Sequence, residues 1–349
     1  MYRIPGIAAT RRGTLLAVCE ARMTGSDWAA MDLVLKRSAD GGETWSENVI
    51  LAEGRYDGIT YNNPMLIADK EMVHLLYCRE YAVEKRGGGV FYTRSEDDGL
   101  HWSEPRDITT GTCPEGYARN ILATGPGHGI AHSGGTLIVP VWITPPTPDI
   151  SSHRPSDIST LYSKDRGETW HIGEVVYSTA ESSNMSESSA VELSDGRVML
   201  NIRNESPKKR RAAAVSPNGY ENWSKPAYDE TLVDPICMGS VLRYDENTIL
   251  FSNPASDCAR KNLILRFSFD DGRSWPESLV VDPGTAAYSD LAVIGDTIYV
   301  LYEKFPDIRI AKIKWKHDCG VLEQNILNQG GHEGKVLLPR LGNQEAASS

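Results

Sequence analysis

The sequence lacks the features that would assign it to a redox, membrane or nucleic-acid-binding class. Its 349 residues contain six cysteines, none of them in a CxxC pair, which argues against a redox or zinc site. No apolar run approaches the roughly 18 residues of a membrane span. The net charge of −11 disfavours nucleic acid and anionic membranes as partners. No ligand cluster is evident either, so no metal and no cofactor are predicted.

Two further patterns are missing, namely long helical periodicity and the basic-then-apolar start of a signal peptide. The first absence favours an all-β protein. The missing signal-peptide pattern does not fix the cellular compartment. Met1 stands directly before a strand that carries candidate site residues, and two predictions follow. If a leader has been removed, the protein is expected to be secreted or periplasmic, and otherwise cytoplasmic.

A short phrase, Ser-x-Asp-x-Gly-x-x-Trp, occurs four times along the chain. The copies are SADGGETW at Ser38, SEDDGLHW at Ser95, SKDRGETW at Ser163 and SFDDGRSW at Ser268. A decayed copy, SPNGYENW, begins at Ser216 and halves the longest gap. Together they mark five units of roughly equal size, followed by a sixth region without a copy, and repeats of this kind indicate a repeat architecture.

Each unit reads as short β-branched or aromatic-rich strands separated by Gly, Asp, Asn and Pro turns. About four strands per unit and this period are typical of a β-propeller, and the count predicts six blades. The predicted domain covers residues 1–318. Residues 319–349 form a tail in which GKVLLPRLG, from Gly334, either fills the edge of the last blade or leaves that edge open.

The repeated phrase has a structural interpretation. Its Asp can accept hydrogen bonds from turn amides, its Gly supplies a positive φ, and its Trp packs between strands. The phrase therefore builds blades, and candidate chemistry must come from residues outside it. Arg3 in YRIPG, Arg203 in LNIRN and Arg260 in SDCARKNL are such residues. Three arginines directed at one axis would repel one another unless an anion joins them, and a carboxylate suits guanidinium forks.

YRIP followed by several Asp boxes resembles the exo-α-sialidases (neuraminidases), and most closely the small bacterial-type catalytic domains. The resemblance runs from Tyr2 to about Trp315. It implies a six-bladed propeller that removes terminal sialic acid from glycoconjugates with retention. It also implies that Arg3, Arg203 and Arg260 bind the substrate carboxylate.

The same resemblance implies the catalytic residues. Asp27, after the segment EAR, would be the acid/base, Glu187 in ESSAVELSDGR the base, and Tyr288 in YSDLAV the nucleophile. Glu303, which closes LYE, would orient Arg3. Arg22 resembles the residue that meets the 4-hydroxyl of the sugar. Asn63 in NNPM stands where several members have an Asp, which leaves the 4-hydroxyl contact open.

These residue types suit a substrate whose carboxylate is attached to the anomeric carbon. A carboxylate nucleophile would approach a like charge, whereas a phenol approaches as a neutral group. A phenol with a pKa near 10 needs a base, which Glu187 would supply, while Asp27 would protonate the leaving oxygen.

Three relatives share this core and are not separated from a hydrolase by these residues. They are a trans-sialidase, an enzyme that releases an anhydro-sialic acid, and one that prefers a deaminated sialic acid, for which Trp28 and Met65 are candidate pocket residues. A non-catalytic glycan-binding propeller is a rival of another class. It would need the arginines but not Asp27, Glu187 and Tyr288 together. Sialylated glycans are the predicted partners in every case, and no oligomeric state is predicted.

Overall fold

The structure is a computed structural model that describes residues 1–112 and 119–315, together with the backbone of residues 322–327 and 334–338. This part of the chain is built from strands, with one 3-10 turn at Thr109–Thr112. No helix in it has the length and hydropathy needed to cross a bilayer. The predicted all-β class is confirmed.

The strands are short and follow one another with tight turns. In the first half of the chain they are β1 (Tyr2–Ala9), β2 (Leu15–Arg22), β3 (Met31–Ser38), β4 (Val49–Ala52), β5 (Ile59–Asp69), β6 (Met72–Tyr81), β7 (Arg86–Ser95), β8 (Arg106–Asp107), β9 (Ile121–Thr124), β10 (Gly127–His128), β11 (Ile130–Ala131), β12 (Leu137–Thr144), β13 (Asp157–Ser163) and β14 (His171–Ile172). In the second half they are β15 (Ser188–Glu192), β16 (Val198–Ile202), β17 (Arg210–Ser216), β18 (Ala227–Val233), β19 (Ser240–Arg243), β20 (Ile249–Pro254), β21 (Lys261–Ser268), β22 (Glu277–Thr285), β23 (Ser289–Ile294), β24 (Thr297–Lys304), β25 (Asp307–Trp315), β26 (Leu322–Leu327) and β27 (Gly334–Leu338).

Hydrogen bonds group the described strands into five sheets. The first has nine strands in the path β1-β2-β3-β5-β6-β7-β8, with β4 on β3 and β10 on β5. The second is β11-β12-β13-β14 with β9 on β12, and the third and fourth are β15-β16-β17-β18 and β19-β20-β21-β22. The fifth is β23-β24-β25-β26-β27. A series of antiparallel meanders of this kind is a propeller-like arrangement.

The hydrogen bonds between the described strands do not form the six separate blades that the sequence predicted. Four sheets have the four or five strands of a blade, but the nine-stranded sheet contains two meanders, β1–β4 and β5–β8. They are counted as one sheet because Met31 of β3 pairs with Thr60 of β5 in a single parallel bridge. The Thr60 hydroxyl also donates to the Ala29 carbonyl oxygen at 2.8 Å. Repeat spacing does not reveal such a bridge, since it depends on how closely two meanders approach.

The C-terminal strands extend the fifth sheet. β26 pairs antiparallel with β25, and β27 pairs antiparallel with β26, so the segment from Gly334 to Leu338 lies at the outer edge. The rest of the predicted tail lies outside the described residues.

The four Asp boxes fold in the same way, as predicted. In the first, the Ser38 hydroxyl donates to Asp40 at 2.8 Å, and the Gly42 amide donates back to the Ser38 oxygen at 2.7 Å. The Thr44 amide donates to Asp40 at 3.0 Å, and Gly42 has φ 81°. The box tryptophans Trp45, Trp102, Trp170 and Trp275 pack against the hydrophobic core. The boxes are therefore structural turns.

Asp290 on β23 ties the inner strands together. Its buried carboxylate accepts hydrogen bonds from the Ile7 amide at 2.8 Å, from His128 Nδ1 at 2.7 Å and from the Ser240 hydroxyl at 2.8 Å. These partners belong to the first and fourth sheets, so one side chain connects three sheets. Burial alone would lower the pKa of His128, but the charge of Asp290 and its hydrogen bond outweigh that effect and raise it.

Candidate active site

Tyr288 and Glu187 form a buried hydrogen-bonded pair. Each stands directly before the first strand of its sheet, Tyr288 before β23 and Glu187 before β15. The Tyr288 hydroxyl lies 2.6 Å from Glu187 Oε1 and 2.7 Å from Oε2. Burial, followed by the charge of Glu187, raises the pKa of Tyr288 well above its usual range. The phenol is therefore neutral at rest, with an acceptor already in place for its proton.

Arg203 contacts both members of this pair. It lies just after β16, and its Nη1 donates to the Tyr288 hydroxyl oxygen at 3.0 Å and to Glu187 Oε2. Burial alone would lower its pKa, but the charges of Glu187 and Tyr288 together with the hydrogen bond to Glu187 raise it well above the usual range. The guanidinium thus stays charged beside the phenol oxygen.

The other two predicted arginines flank the same ring. The Arg3 guanidinium carbon lies 5.6 Å from the centroid of the Tyr288 ring, and that of Arg260 lies 5.3 Å from it. Arg3 Nε donates to Glu303 Oε1 at 2.8 Å, while Arg260 donates to the neutral carbonyl oxygen of Ile236 at 3.1 Å. Chain segments from the first, third, fourth and fifth sheets therefore meet around Tyr288.

The charge in this cluster is unbalanced. Three guanidiniums, those of Arg3, Arg203 and Arg260, face two carboxylates, those of Glu187 and Glu303. If all five groups are ionised, one positive charge remains. An anionic group bound over Tyr288 would neutralise it.

The backbone beside Arg3 is held in an unusual conformation. Ile4 has φ 56°, a region that β-branched residues rarely occupy. The Ile4 amide donates to Glu303 Oε1 at 2.8 Å, the same oxygen that accepts from Arg3. Glu303 therefore contacts both the side chain of Arg3 and the backbone that follows it, and its role in orienting Arg3 stays a prediction.

Asp27 lies in the loop between β2 and β3, on one side of the cluster. Arg22, at the end of β2, donates from Nη1 to Asp27 Oδ1 at 2.6 Å and from Nε to Glu20 Oε2 at 2.6 Å. The Asp27 side chain is 62% exposed. Partial burial favours the neutral acid, but the hydrogen bond and charge of Arg22 prevail and lower the pKa of Asp27. Asp27 is thus ionised at rest, so an acid role requires substrate to raise its pKa.

Asn63 lies on the Asp27 side of the site and contacts it through its backbone amide. Its φ is 50°, and its amide donates to Glu20 Oε1 at 2.8 Å. Glu20 thereby connects Arg22 to β5. Met65, two residues further on, is fully buried in the core and therefore does not line an open pocket. The prediction of Met65 as a pocket residue is wrong for that reason.

Three residues near the site were not predicted from the sequence. Glu20 is fully buried, and Glu80 is buried and accepts from Asn62 Nδ2 at 2.7 Å. Burial is the main reason that the pKa of Glu80 is raised to about 7. His153, in the β12–β13 loop, interacts electrostatically with Asp27 and Glu187. Glu20 had a signal in the sequence, because it is a charged residue in phase with the apolar Leu16 and Val18 on the buried face of β2.

Within the described residues no group of three or more His, Cys, Asp or Glu side chains is arranged to hold a metal ion. His128 is paired with Asp290, and His132 Nε2 donates to the Gly196 carbonyl oxygen at 2.8 Å. Both histidines have structural partners.

The chain resembles known proteins along most of its length. Residues 13–300 match the model of the BNR repeat-like domain family. The chain is 33% identical over 340 residues to a sialidase of Micromonospora viridifaciens, and the match covers 89% of this chain and 51% of that protein. It is 30% identical over 339 residues to a sialidase of Bacteroides fragilis, with 86% of this chain and 60% of that protein covered.

Among solved structures, a Hadza microbial sialidase has a TM-score of 0.77 and 27% identity, over 87% of this chain and 63% of that one. The chain thus spans between half and two thirds of the length of these relatives. The chain therefore belongs to the BNR repeat-like domain family, and its similarity to bacterial sialidases confirms the resemblance read from its sequence.

Proposed function

We propose that this chain is an exo-α-sialidase that hydrolyses terminal α-ketosidically linked sialic acids from glycoconjugates with retention. The observation that carries the proposal is the hydrogen bond between Tyr288 and Glu187 inside a ring of three arginines. A binding module would need the arginines to hold an acid. It would have no use for a phenol paired with a carboxylate beneath the bound sugar.

The arginines supply recognition. Guanidinium forks bind carboxylates through paired, charge-assisted hydrogen bonds. A carboxylate above Tyr288 would neutralise the excess positive charge of the cluster and would place the adjoining anomeric carbon near the phenol oxygen. Arg22, beside Asp27 and backed by Glu20, is positioned for a ring hydroxyl, and the backbone placement of Asn63 beside it supports the same subsite.

Tyr288 is the proposed nucleophile. Most retaining glycosidases use a carboxylate here, and sialidases are the tyrosine exception among them. As the phenol oxygen attacks the anomeric carbon, its proton passes to Glu187, which already lies at hydrogen-bond distance. Arg203 stabilises the developing negative charge on the oxygen, since its Nη1 lies 3.0 Å away.

Asp27 is the proposed acid/base. In the first step the bond from the anomeric carbon to the glycosidic oxygen breaks, and Asp27 gives that oxygen a proton as the covalent sialosyl-tyrosine forms. In the second step Asp27 takes a proton from water, which attacks the anomeric carbon and releases Tyr288, and Glu187 returns the proton to the phenol. Bound sugar would bury Asp27 and raise its pKa from the low resting value.

The proposed scaffold is a six-bladed propeller that covers residues 1–318. The two meanders of the nine-stranded sheet, β1–β4 and β5–β8, count as two blades in this proposal, and the remaining four sheets supply one blade each. Residues 319–349 form the tail, whose strands β26 and β27 extend the last blade.

The test is turnover of a fluorogenic aryl sialoside by the wild type, Tyr288→Phe and Asp27→Ala, with folding checked by circular dichroism. Wild-type turnover and its loss in folded Tyr288→Phe are expected, and NMR should show the α-anomer of free sialic acid as the first product. Binding of sialosides without any turnover would instead establish a glycan-binding protein. Transfer to an acceptor, an anhydro product or a preference for deaminated substrate would identify one of the related enzymes.

A further inference from the structure

An aromatic stack joins the loop that carries Asp27 to a loop of the second sheet. The ring of Trp28, next to Asp27, lies 5.7 Å from the imidazole of His153 with a 37° angle between the planes. On its other side His153 meets Trp142 of β12 edge-to-face at 5.5 Å. Trp142 is buried in the core, whereas Trp28 and His153 are half-buried. A residue of the Asp27 loop is thus connected to a core residue through one imidazole.

The His153 loop is itself fastened to the next sheet. Arg154 donates from Nε and Nη2 to the two oxygens of Glu205, at 2.6 and 2.5 Å. Glu205 lies two residues after Arg203, and it also accepts from Asn184 Nδ2 at 3.1 Å. The Ser156 hydroxyl anchors the same loop to the Met185 carbonyl oxygen at 2.8 Å. The loop therefore bridges the Asp27 side of the site and the Arg203 side.

The loop of Asp27 needs such support. Its base is closed by bonds from the Met23 amide to the Ala30 carbonyl and from the Thr60 hydroxyl to the Ala29 carbonyl. Near its tip the Asp27 carboxylate is 62% exposed and is held by Arg22. Burial lowers the pKa of His153, and its neutral imidazole suits aromatic packing.

We propose that the Trp28–His153–Trp142 stack is a clamp that positions Asp27 for proton transfer, with His153 as its positioning residue. This inference rests on the proposed acid role of Asp27. A general acid must reach the glycosidic oxygen to within roughly 2.6–3.2 Å, and an error of about 1 Å can cost ~10²-fold in rate. A substitution that opens the clamp therefore impairs the step that needs the acid.

The identity of the leaving group separates this role from a general loss of activity. A natural sugar alcohol is a poor leaving group that requires its proton, whereas an activated phenol such as 4-nitrophenol leaves without one. The clamp therefore predicts that kcat/KM, which reports the steps up to formation of the covalent intermediate, falls with sialyllactose but not with the activated sialoside. A residue that merely binds the sugar would change kcat/KM equally for both substrates. The comparison uses kcat/KM because Asp27 also acts in the second step, which both substrates share and which contributes to kcat.

The experiment measures kcat and KM for sialyllactose and for a 4-nitrophenyl sialoside in His153→Ala and His153→Phe. His153→Phe keeps an aromatic ring in the stack without the imidazole. The matched control is Tyr220→Ala, which breaks another half-buried aromatic stack, Tyr162–Tyr220 at 4.2 Å, in the decayed repeat copy. Asp27→Ala gives the effect of complete loss of the acid.

The clamp predicts that His153→Ala lowers kcat/KM for sialyllactose by ~10²-fold and for the activated substrate by less than about 5-fold. His153→Phe should restore most of the loss, and Tyr220→Ala should match the wild type. Equal losses on both substrates, no loss in His153→Ala, or failure of His153→Phe to restore activity would each overturn the clamp. An inactive wild type would instead overturn the proposed function, as would an Asp27→Ala variant that turns over sialyllactose normally.

Discussion

Arg3 and Glu303 are 300 positions apart in the chain, and Arg3 Nε lies 2.8 Å from Glu303 Oε1. The pair joins the first strand of the first sheet to the second strand of the fifth. The same Glu303 oxygen accepts a hydrogen bond from the amide of Ile4, whose backbone lies in the left-handed region. The proposed carboxylate-binding side of the site therefore forms only when the first and fifth sheets have met.

Replacing Glu303 by Gln should weaken the hold on Arg3. The amide oxygen can still accept from Ile4, but the ion pair is lost, and a hydrogen bond to a charged group contributes about 1.5–3 kcal/mol. We expect kcat/KM for a sialoside to fall about 10- to 100-fold. Glu192→Gln is the matched control, because Glu192 bonds to Ser133 away from the site. Wild-type kinetics in Glu303→Gln would refute the orienting role.

Arg260→Ala should remove recognition of the substrate carboxylate rather than the chemistry. Within the described residues, the Arg260 side chain donates its one hydrogen bond to a neutral carbonyl oxygen. Its positive charge is therefore available to a ligand. We expect the dissociation constant of a sialic acid analogue to rise at least ~10-fold, while that of its methyl ester hardly changes. Arg197→Ala, which removes a half-exposed guanidinium paired with Asp195, is the control. If the acid and the ester lose affinity equally, Arg260 does not recognise the substrate carboxylate.

The buried pair of His128 and Asp290 should make stability depend on pH. The pKa of His128 is raised above its usual 6.5 in the folded protein. The folded state therefore holds this proton more tightly than the unfolded state does. The stabilisation is complete below pH 6.5 and declines as pH rises through the higher folded-state pKa.

Thermal unfolding at a series of pH values tests this coupling. The difference in melting temperature between wild type and His128→Gln should be largest below pH 6.5 and should shrink above it. Asp290→Asn should cost about 3–5 kcal/mol, since it leaves a buried cation without its partner. A difference that grows with rising pH would contradict the raised pKa of His128.

The sequence predicted the local elements of this fold well, because they depend on neighbouring residues. In each Asp box a serine, an aspartate and a glycine lie within five positions, and their hydrogen bonds join groups within that one turn. The bridge between Met31 and Thr60 was not predictable in this way. It depends on the distance between two adjacent meanders and decides whether they count as one sheet.

The site residues were predicted through family motifs rather than through spacing. Nothing local to Tyr288 indicates that Glu187, 101 positions away, will accept its hydrogen bond. Residues outside the motifs were missed for the same reason. His153 stands in an irregular loop, and its place between Trp28 and Trp142 depends on how three segments pack.

Tyr288→Phe should abolish most turnover on both activated and natural substrates while affinity for sialic acid analogues is largely kept. The phenyl ring still packs between Arg3 and Arg260, but it has no oxygen to attack the anomeric carbon. Tyr302→Phe is a suitable control, because Tyr302 is a buried tyrosine of the same sheet that bonds to Asp282 instead. Substantial turnover in Tyr288→Phe would mean that another group attacks the sugar.

The most direct measurement is the site of covalent attachment. A sialosyl fluoride with a second fluorine next to the anomeric carbon slows the second step more than the first, so the intermediate accumulates. Peptide mapping by mass spectrometry should then place one sialosyl adduct on Tyr288 in the wild type and none on Tyr288→Phe. An adduct on Glu187 or Asp27, or steady turnover with no adduct at any residue, would contradict the mechanism.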